Sequence, residues 1–218
     1  MKLFKSVLTL SVLSVLGGCA ASVPNQDYTN YRKSKPASIL VLPPVNHSPD
    51  IKATYGFLST VTRPLAEGGY YVFPVTLVDQ TFKENGLQNP AEMHDAPLNK
   101  LREIFGADAV LYITIESYGA SYKVVSSDTV VTAKGRLIDS KTGELLWSGD
   151  ATASSAESDN NSNLGLAGLL VKAIVKQVVS SAVDQGHDIS KITSARLLSP
   201  KPNGLLYGPR SPMYQSEK

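Results

Sequence analysis

Few side chains in this 218-residue chain could do chemistry, and their spacing limits what that chemistry could be. There is one cysteine, Cys19, and three histidines, His47, His94 and His187. A lone thiol forms no internal disulfide, and a structural zinc site needs about four closely grouped ligands. His94-Asp95 and His187-Asp188 share the His-Asp pairing of metal-dependent phosphohydrolases, but such sites draw on further histidines that only His47 could supply. Asp95 is therefore read as a helix cap and His187-Asp188 as the loop after a helix end. The chain contains no GxxxxGK[ST] phosphate loop, no HExxH and no GxSxG elbow. The expectation is a protein without a catalytic site, cofactor or metal.

The neighbours of Cys19 suggest another use for its sulfur. The chain opens MKLFK, runs apolar from Val7 to Leu16, and reaches Cys19 through two glycines. A short basic region followed by about ten apolar residues is the pattern of a secretory signal peptide. A spanning helix would need about 20. Leu16-Gly-Gly-Cys19 resembles the bacterial lipobox, in which small residues admit the signal peptidase and the cysteine sulfur receives a diacylglycerol. That resemblance implies residues 1–18 as leader and Cys19 as the lipidated first residue, with palmitate-type acyl chains. Two or three such chains hold stably where one holds marginally. Ala20, where aspartate would mark retention at the inner membrane, implies the outer membrane.

Lys2 and Lys5 lie in the leader, so the formal +2 charge of the whole chain belongs there, and the remainder balances 19 basic against 19 acidic residues. A neutral chain without a long basic run argues against nucleic acid as partner. The one dense basic cluster, Arg32-Lys33-Ser34-Lys35, falls in residues 19–37, which read as a lipidated cysteine and flexible tether reaching about 60 Å when extended.

The elements beyond the tether have clear signatures. SILVLPPV (38–45) reads as a buried strand stopped by prolines. Residues 54–67 place Phe57, Leu58, Val61 and Leu65 on one helical face, with Pro64 expected to kink or end it. YYVFPV (70–75) is a second strand, 76–85 a short helix, and Asp95 with Pro97 opens another helix whose inner face carries Leu98, Leu101 and Phe105 before Gly106. ADAVLYITI (107–115) suits a central strand covered on both faces. Residues 129–138 alternate Val131, Ala133, Gly135 and Leu137 inward. DSKTG (139–143) turns, and 144–153 returns with Leu145, Trp147 and Ala151 on one side.

A long helix is expected over 164–185, apolar on most of its circumference. Such a helix is either deep in the domain or buried against another subunit. The expected fold is α/β: a single-domain sandwich with a mixed sheet, two βα units followed by an antiparallel hairpin and a long covering helix. The domain runs over 38–198, and a proline-rich C-terminal tail over 199–218.

DSKTGELLWSG (139–149) resembles a hairpin of periplasmic lipoproteins related to the curli secretion channel lipoprotein and to the amino-terminal domain of TolB. From about Pro36, through GFLSTVTRPLAEGGYYVFPV (56–75) to LLYGPRSPMYQ (205–215), the chain resembles the outer-membrane lipoprotein family of the genome-derived neisserial antigen type. That resemblance implies an α/β fold, lipidation, the periplasmic face of the outer membrane and work within an envelope complex; it supplies no catalytic residue. The hairpin candidates 120–135 and 150–163 lack the apolar alternation of a membrane barrel.

The expectation is a lipid-anchored periplasmic interaction module that self-associates or docks to other envelope lipoproteins. The partner contacts are expected at Leu169, Leu170 and Ile174 on the helix and at Leu205, Leu206, Tyr207, Met213 and Tyr214 in the tail. The alternative is a ligand-binding transport component, with a pocket at the strand ends near Pro43–His47 and Pro74–Thr76.

Overall fold

The computed structural model describes residues 26–122, 127–158, 184–201 and 204–214. The chain forms one α/β domain around a mixed six-stranded sheet. In chain order the elements are α1 (Thr29–Ser34), β1 (Ser38–Val41), β2 (Val45–Asn46), α2 (Ala53–Glu67), β3 (Tyr71–Val72), α3 (Val75–Glu84), α4 (Pro90–His94) and α5 (Leu98–Phe105). β4 (Ala109–Tyr122), β5 (Ser127–Asp139), β6 (Leu145–Ser154) and α6 (Gln185–Leu198) complete the fold.

The strand order is β3-β1-β4-β5-β6, with β2 pairing β4 beyond the end of β1. The β3-β1-β4 part is parallel, built from βα connections, and β4-β5-β6 is an antiparallel meander. Pleating explains why the chain is apolar from Ile39 of β1 to Leu42 just beyond it. Ile39 and Val41 enter one core with α2 and α6, while Leu40 and Leu42 enter another with Val78 of α3, Met93 of α4 and Leu101 of α5. In β4 the same alternation sends Leu111, Ile113 and Ile115 to the first core and Val110 to the second.

Four expectations are corrected. The stretch read as tether contains α1, with Tyr31 buried, so the domain begins before residue 38. Pro64 does not end α2, which continues to Glu67. A short helix, α4, precedes α5, and Asp95 sits at its C-terminus rather than opening α5. A register shift between Leu137 and Ile138 lets β6 carry one extra residue. Leu146 and Trp147 are both buried, while Leu145, expected inside, is turned outward.

The expected helix 164–185 lies almost wholly outside the described residues. The helix seen against the sheet is α6, which starts at Gln185 and takes in His187-Asp188, so that pair is helical rather than a loop. Asp184 caps it, accepting from the His187 amide at 3.2 Å.

Candidate functional site

Cys19, Leu169, Leu170 and Ile174 lie outside the described residues. The tail residues are described, and they divide. Leu205 is 1% exposed within the chain's own core, and Leu206 packs against that core while its carbonyl accepts from the Tyr70 hydroxyl at 2.5 Å. Tyr207 and Tyr214 are half-buried, and Met213 is 49% exposed. Leu205 is thus unavailable to a partner, for the plain reason that an apolar side chain beside an open core buries itself there.

Backbone contacts pin this tail across the Gly68-Gly69 turn. The Gly208 amide donates to the Gly68 carbonyl at 2.8 Å and the Arg210 amide to the Gly69 carbonyl at 3.1 Å. Gly69 has φ 94°, and a Cβ there would stand 2.4 Å from the Ser211 nitrogen. A Cβ on Gly208 would lie 2.6 Å from the Gly69 oxygen. The two unusual stretches GGYYVFPV and GPRSP are therefore the two sides of one close backbone contact.

The three histidines stand apart. His47 lies 3.7 Å from Glu116, which also pairs with Lys134 at 3.1 Å on the face of the sheet opposite α6. His94 Nε2 is 2.9 Å from the Pro43 carbonyl, and its ring meets Tyr112 edge-on at 5.3 Å. Burial lowers the His94 pKa, helped by Arg136 and opposed by the Pro43 contact and by Asp95. His187 Nδ1 is 3.2 Å from the Gly56 carbonyl. Among the described residues no group of three metal-ligating side chains converges.

At the strand ends near Pro43–His47, where a pocket is expected, backbone groups have partners within the chain. His94 takes the Pro43 carbonyl, Thr54 donates to that of Pro44 at 3.1 Å, and Val45–Asn46 pair with Thr114–Ile115. A cleft lies among α3, α4 and α5, with a volume of about 460 Å³. Phe82, Leu87, Leu101, Ile104 and Phe105 make it apolar, with Glu92, Asp95 and Lys100 also in its lining. The apolar spacing of α5 pointed to a buried face; only α4, which the sequence reading missed, turns that face into a groove.

One further surface is backbone rather than side chain. β6 ends the strand order, and its outer side has no strand partner among the described residues. The far end of this edge is closed by side chains. Arg196 donates to the Thr152 carbonyl at 2.7 Å and to Glu157 at 2.5 Å, and Glu157 accepts from the Ser154 amide at 3.1 Å. By strand alternation, the peptide groups of Ser148 and Asp150 point the same way as those of Thr152 and Ser154, and no hydrogen bond from a described residue reaches them, although α1 packs against β6. No described helix is long and apolar enough to cross a membrane.

A family model described as "Putative lipoprotein GNA1162-like" matches residues 26–210. A curated protein of Neisseria meningitidis serogroup B (strain ATCC BAA-335 / MC58), "Putative lipoprotein NMB1124/NMB1162", is 50% identical over 206 residues, 94% of this chain and 95% of its own length. The crystal structure of lipoprotein GNA1162 from Neisseria meningitidis is 51% identical. It covers 67% of this chain and 100% of that one, with a TM-score of 0.52.

Proposed function

This chain belongs to the GNA1162-like lipoprotein family, and from that premise we propose that it is a lipid-anchored envelope interaction module. In this reading Cys19 carries the acyl chains, the domain faces the periplasm from the outer membrane, and it self-associates or docks to partner lipoproteins in envelope assembly, secretion or transport. The observation that carries it is the β6 edge, open at Ser148 and Asp150 and blocked by the Arg196–Glu157 pair beyond them. An edge strand left open over part of its length is a template for adding a strand from another chain. No catalytic residue is assigned.

Proline tests the edge directly, since it removes an outward N–H without touching the ladder to β5. A photo-crosslinker at Thr152, in intact membranes, is expected to yield adducts that disappear in Ser148→Pro. An adduct pattern unchanged by that substitution sinks the edge reading. The anchor has its own test: the wild-type chain incorporates palmitate and fractionates with the outer membrane, and Cys19→Ala does neither. The apolar cleft beside α5 favours the alternative, a ligand-binding envelope component. A small molecule copurifying in native mass spectrometry, and lost in Ile104→Lys, would support it.

A further inference from the structure

If Cys19 is the anchor, the folded domain starts much closer to it than the 18 residues of the expected tether imply. The Tyr28 hydroxyl donates to the Gly204 carbonyl at 2.5 Å, α1 begins at Thr29, and Tyr31 is buried against the core, its hydroxyl meeting that of Tyr70. From Cys19 to Tyr28 the chain spans at most about 30 Å when fully straight. Such a domain is held with one end towards the membrane, the end where the chain enters.

That end of the sheet is defined by the row Val72, Ile39, Ala109 and Asp139, with Tyr71 and Ser38 one residue beyond it. α1 is fixed to it by Ser34, whose hydroxyl donates to Asp139 at 2.5 Å, and by the Ala37 and Ser38 amides, which donate to Asp108 at 3.0 and 2.9 Å. Five exposed cations converge there from three separate segments: Arg32, Lys33 and Lys35 at the end of α1, Lys141 in the β5–β6 turn, and Arg210 in the tail. Among the described residues none of the five forms an ion pair, although Arg210 lies over the Tyr71 ring at 5.6 Å and Arg32 acts at longer range on Asp27. Of the nearby carboxylates, Asp108 and Asp139 are occupied by backbone amides and hydroxyls, and Glu144 accepts from the Thr142 hydroxyl at 3.3 Å. The mature chain is neutral overall, so this collection of cations is a local arrangement made by the fold.

We infer that this end, with Arg32, Lys33, Lys35, Lys141 and Arg210, is a docking face for an anionic lipid surface, which it meets when the anchor is inserted. The inference rests on lipidation at Cys19. Basic residues near an anionic bilayer are attracted over roughly one Debye length, about 10 Å at moderate salt. A leash of at most about 30 Å lets the face come within that range, so the lipid sets the neighbourhood and the cations set the orientation.

The chain has a single cysteine. Once that sulfur is acylated, an introduced cysteine is the only thiol, and a fluorophore can be placed at either end. The full-length lipidated chain, labelled at Thr142→Cys or at Ile51→Cys on the opposite end, is reconstituted into vesicles. These contain phosphatidylethanolamine and phosphatidylglycerol at about 3:1, with a quencher on the headgroups. Quenching at Thr142→Cys is expected to exceed that at Ile51→Cys at least about two-fold. The excess is expected to vanish in phosphatidylcholine vesicles, with Lys33→Glu/Lys35→Glu/Lys141→Glu, and at about 1 M salt, where the screening length is about 3 Å.

The salt arm uses the unsubstituted face, so the inference does not depend on the triple variant folding. Equal quenching at the two ends, or an excess indifferent to charge and salt, overturns the docking face. Flotation separates the two readings. A chain that floats with the vesicles but shows equal quenching leaves the anchor standing, and a chain that fails to float overturns both.

Discussion

Asp139 shows how one side chain ties the α1 end of the sheet together. Its carboxylate accepts from the Ser34 hydroxyl at 2.5 Å and from the Lys141 and Thr142 amides at 2.8 Å each. Burial by itself would raise its pKa, but these donors outweigh it and hold the group below the ordinary carboxylate value. A carboxyl depressed on folding contributes stability above its unfolded pKa, near 3.9, and loses it as the pH falls through the folded value. Asp139→Asn is therefore expected to cost about 1–2 kcal/mol at neutral pH, with the gap from wild type closing in acid. Denaturant titrations across the acid range check this; a gap independent of pH refutes it. The turn role of Asp139 was legible from DSKTG. Its bond to Ser34 was not, because the two residues lie 105 positions apart.

Between elements, the α2–α6 seam shows why Pro64 is tolerated. Proline at 64 cannot donate to the Thr60 carbonyl one turn earlier. The Ser194 hydroxyl of α6 lies 3.3 Å from that oxygen, and 3.2 Å from the Lys191 carbonyl of its own helix. Ser194→Ala should cost about 1–2 kcal/mol. The loss should be smaller in a Pro64→Ala background, where an amide serves Thr60 instead. Additive losses in that double-mutant cycle would show that Ser194 does not stand in for the missing donor. Along the same seam Tyr118 is wedged between two glycines. A Cβ on Gly56 would lie 2.5 Å from its hydroxyl, and one on Gly186 2.5 Å from its ring. Gly186→Ala is expected to lower stability by about 1–3 kcal/mol, read as a shift in the denaturation midpoint at unchanged slope. The helical period of 54–67 was plain in the sequence, but its proline read as a kink or a stop because the compensating hydroxyl comes from 130 residues downstream.

At the scale of the whole molecule, the tail is part of the fold. Leu205 completes the core, and Gly208 and Arg210 bond to the Gly68-Gly69 turn. Leu205→Ala should cost about 2–4 kcal/mol, and removal of 204–218 should destabilise the monomer whatever its oligomeric state. Thermal melts decide, and a truncated chain as stable as wild type would contradict the packing. The sequence by itself determined the class of fold, the central strand, and the hairpin and its turn. These are signals of period, punctuation and short-range order that neighbouring residues carry. The tertiary structure alone decided that Leu205 faces inward, that the Gly-Gly turn and GPRSP are one contact, that α4 and α5 form a cleft, and that cations from three segments share one end of the sheet. Each of those joins residues far apart in the chain, and such pairings are set by how packed elements bring distant side chains together, which no local pattern encodes.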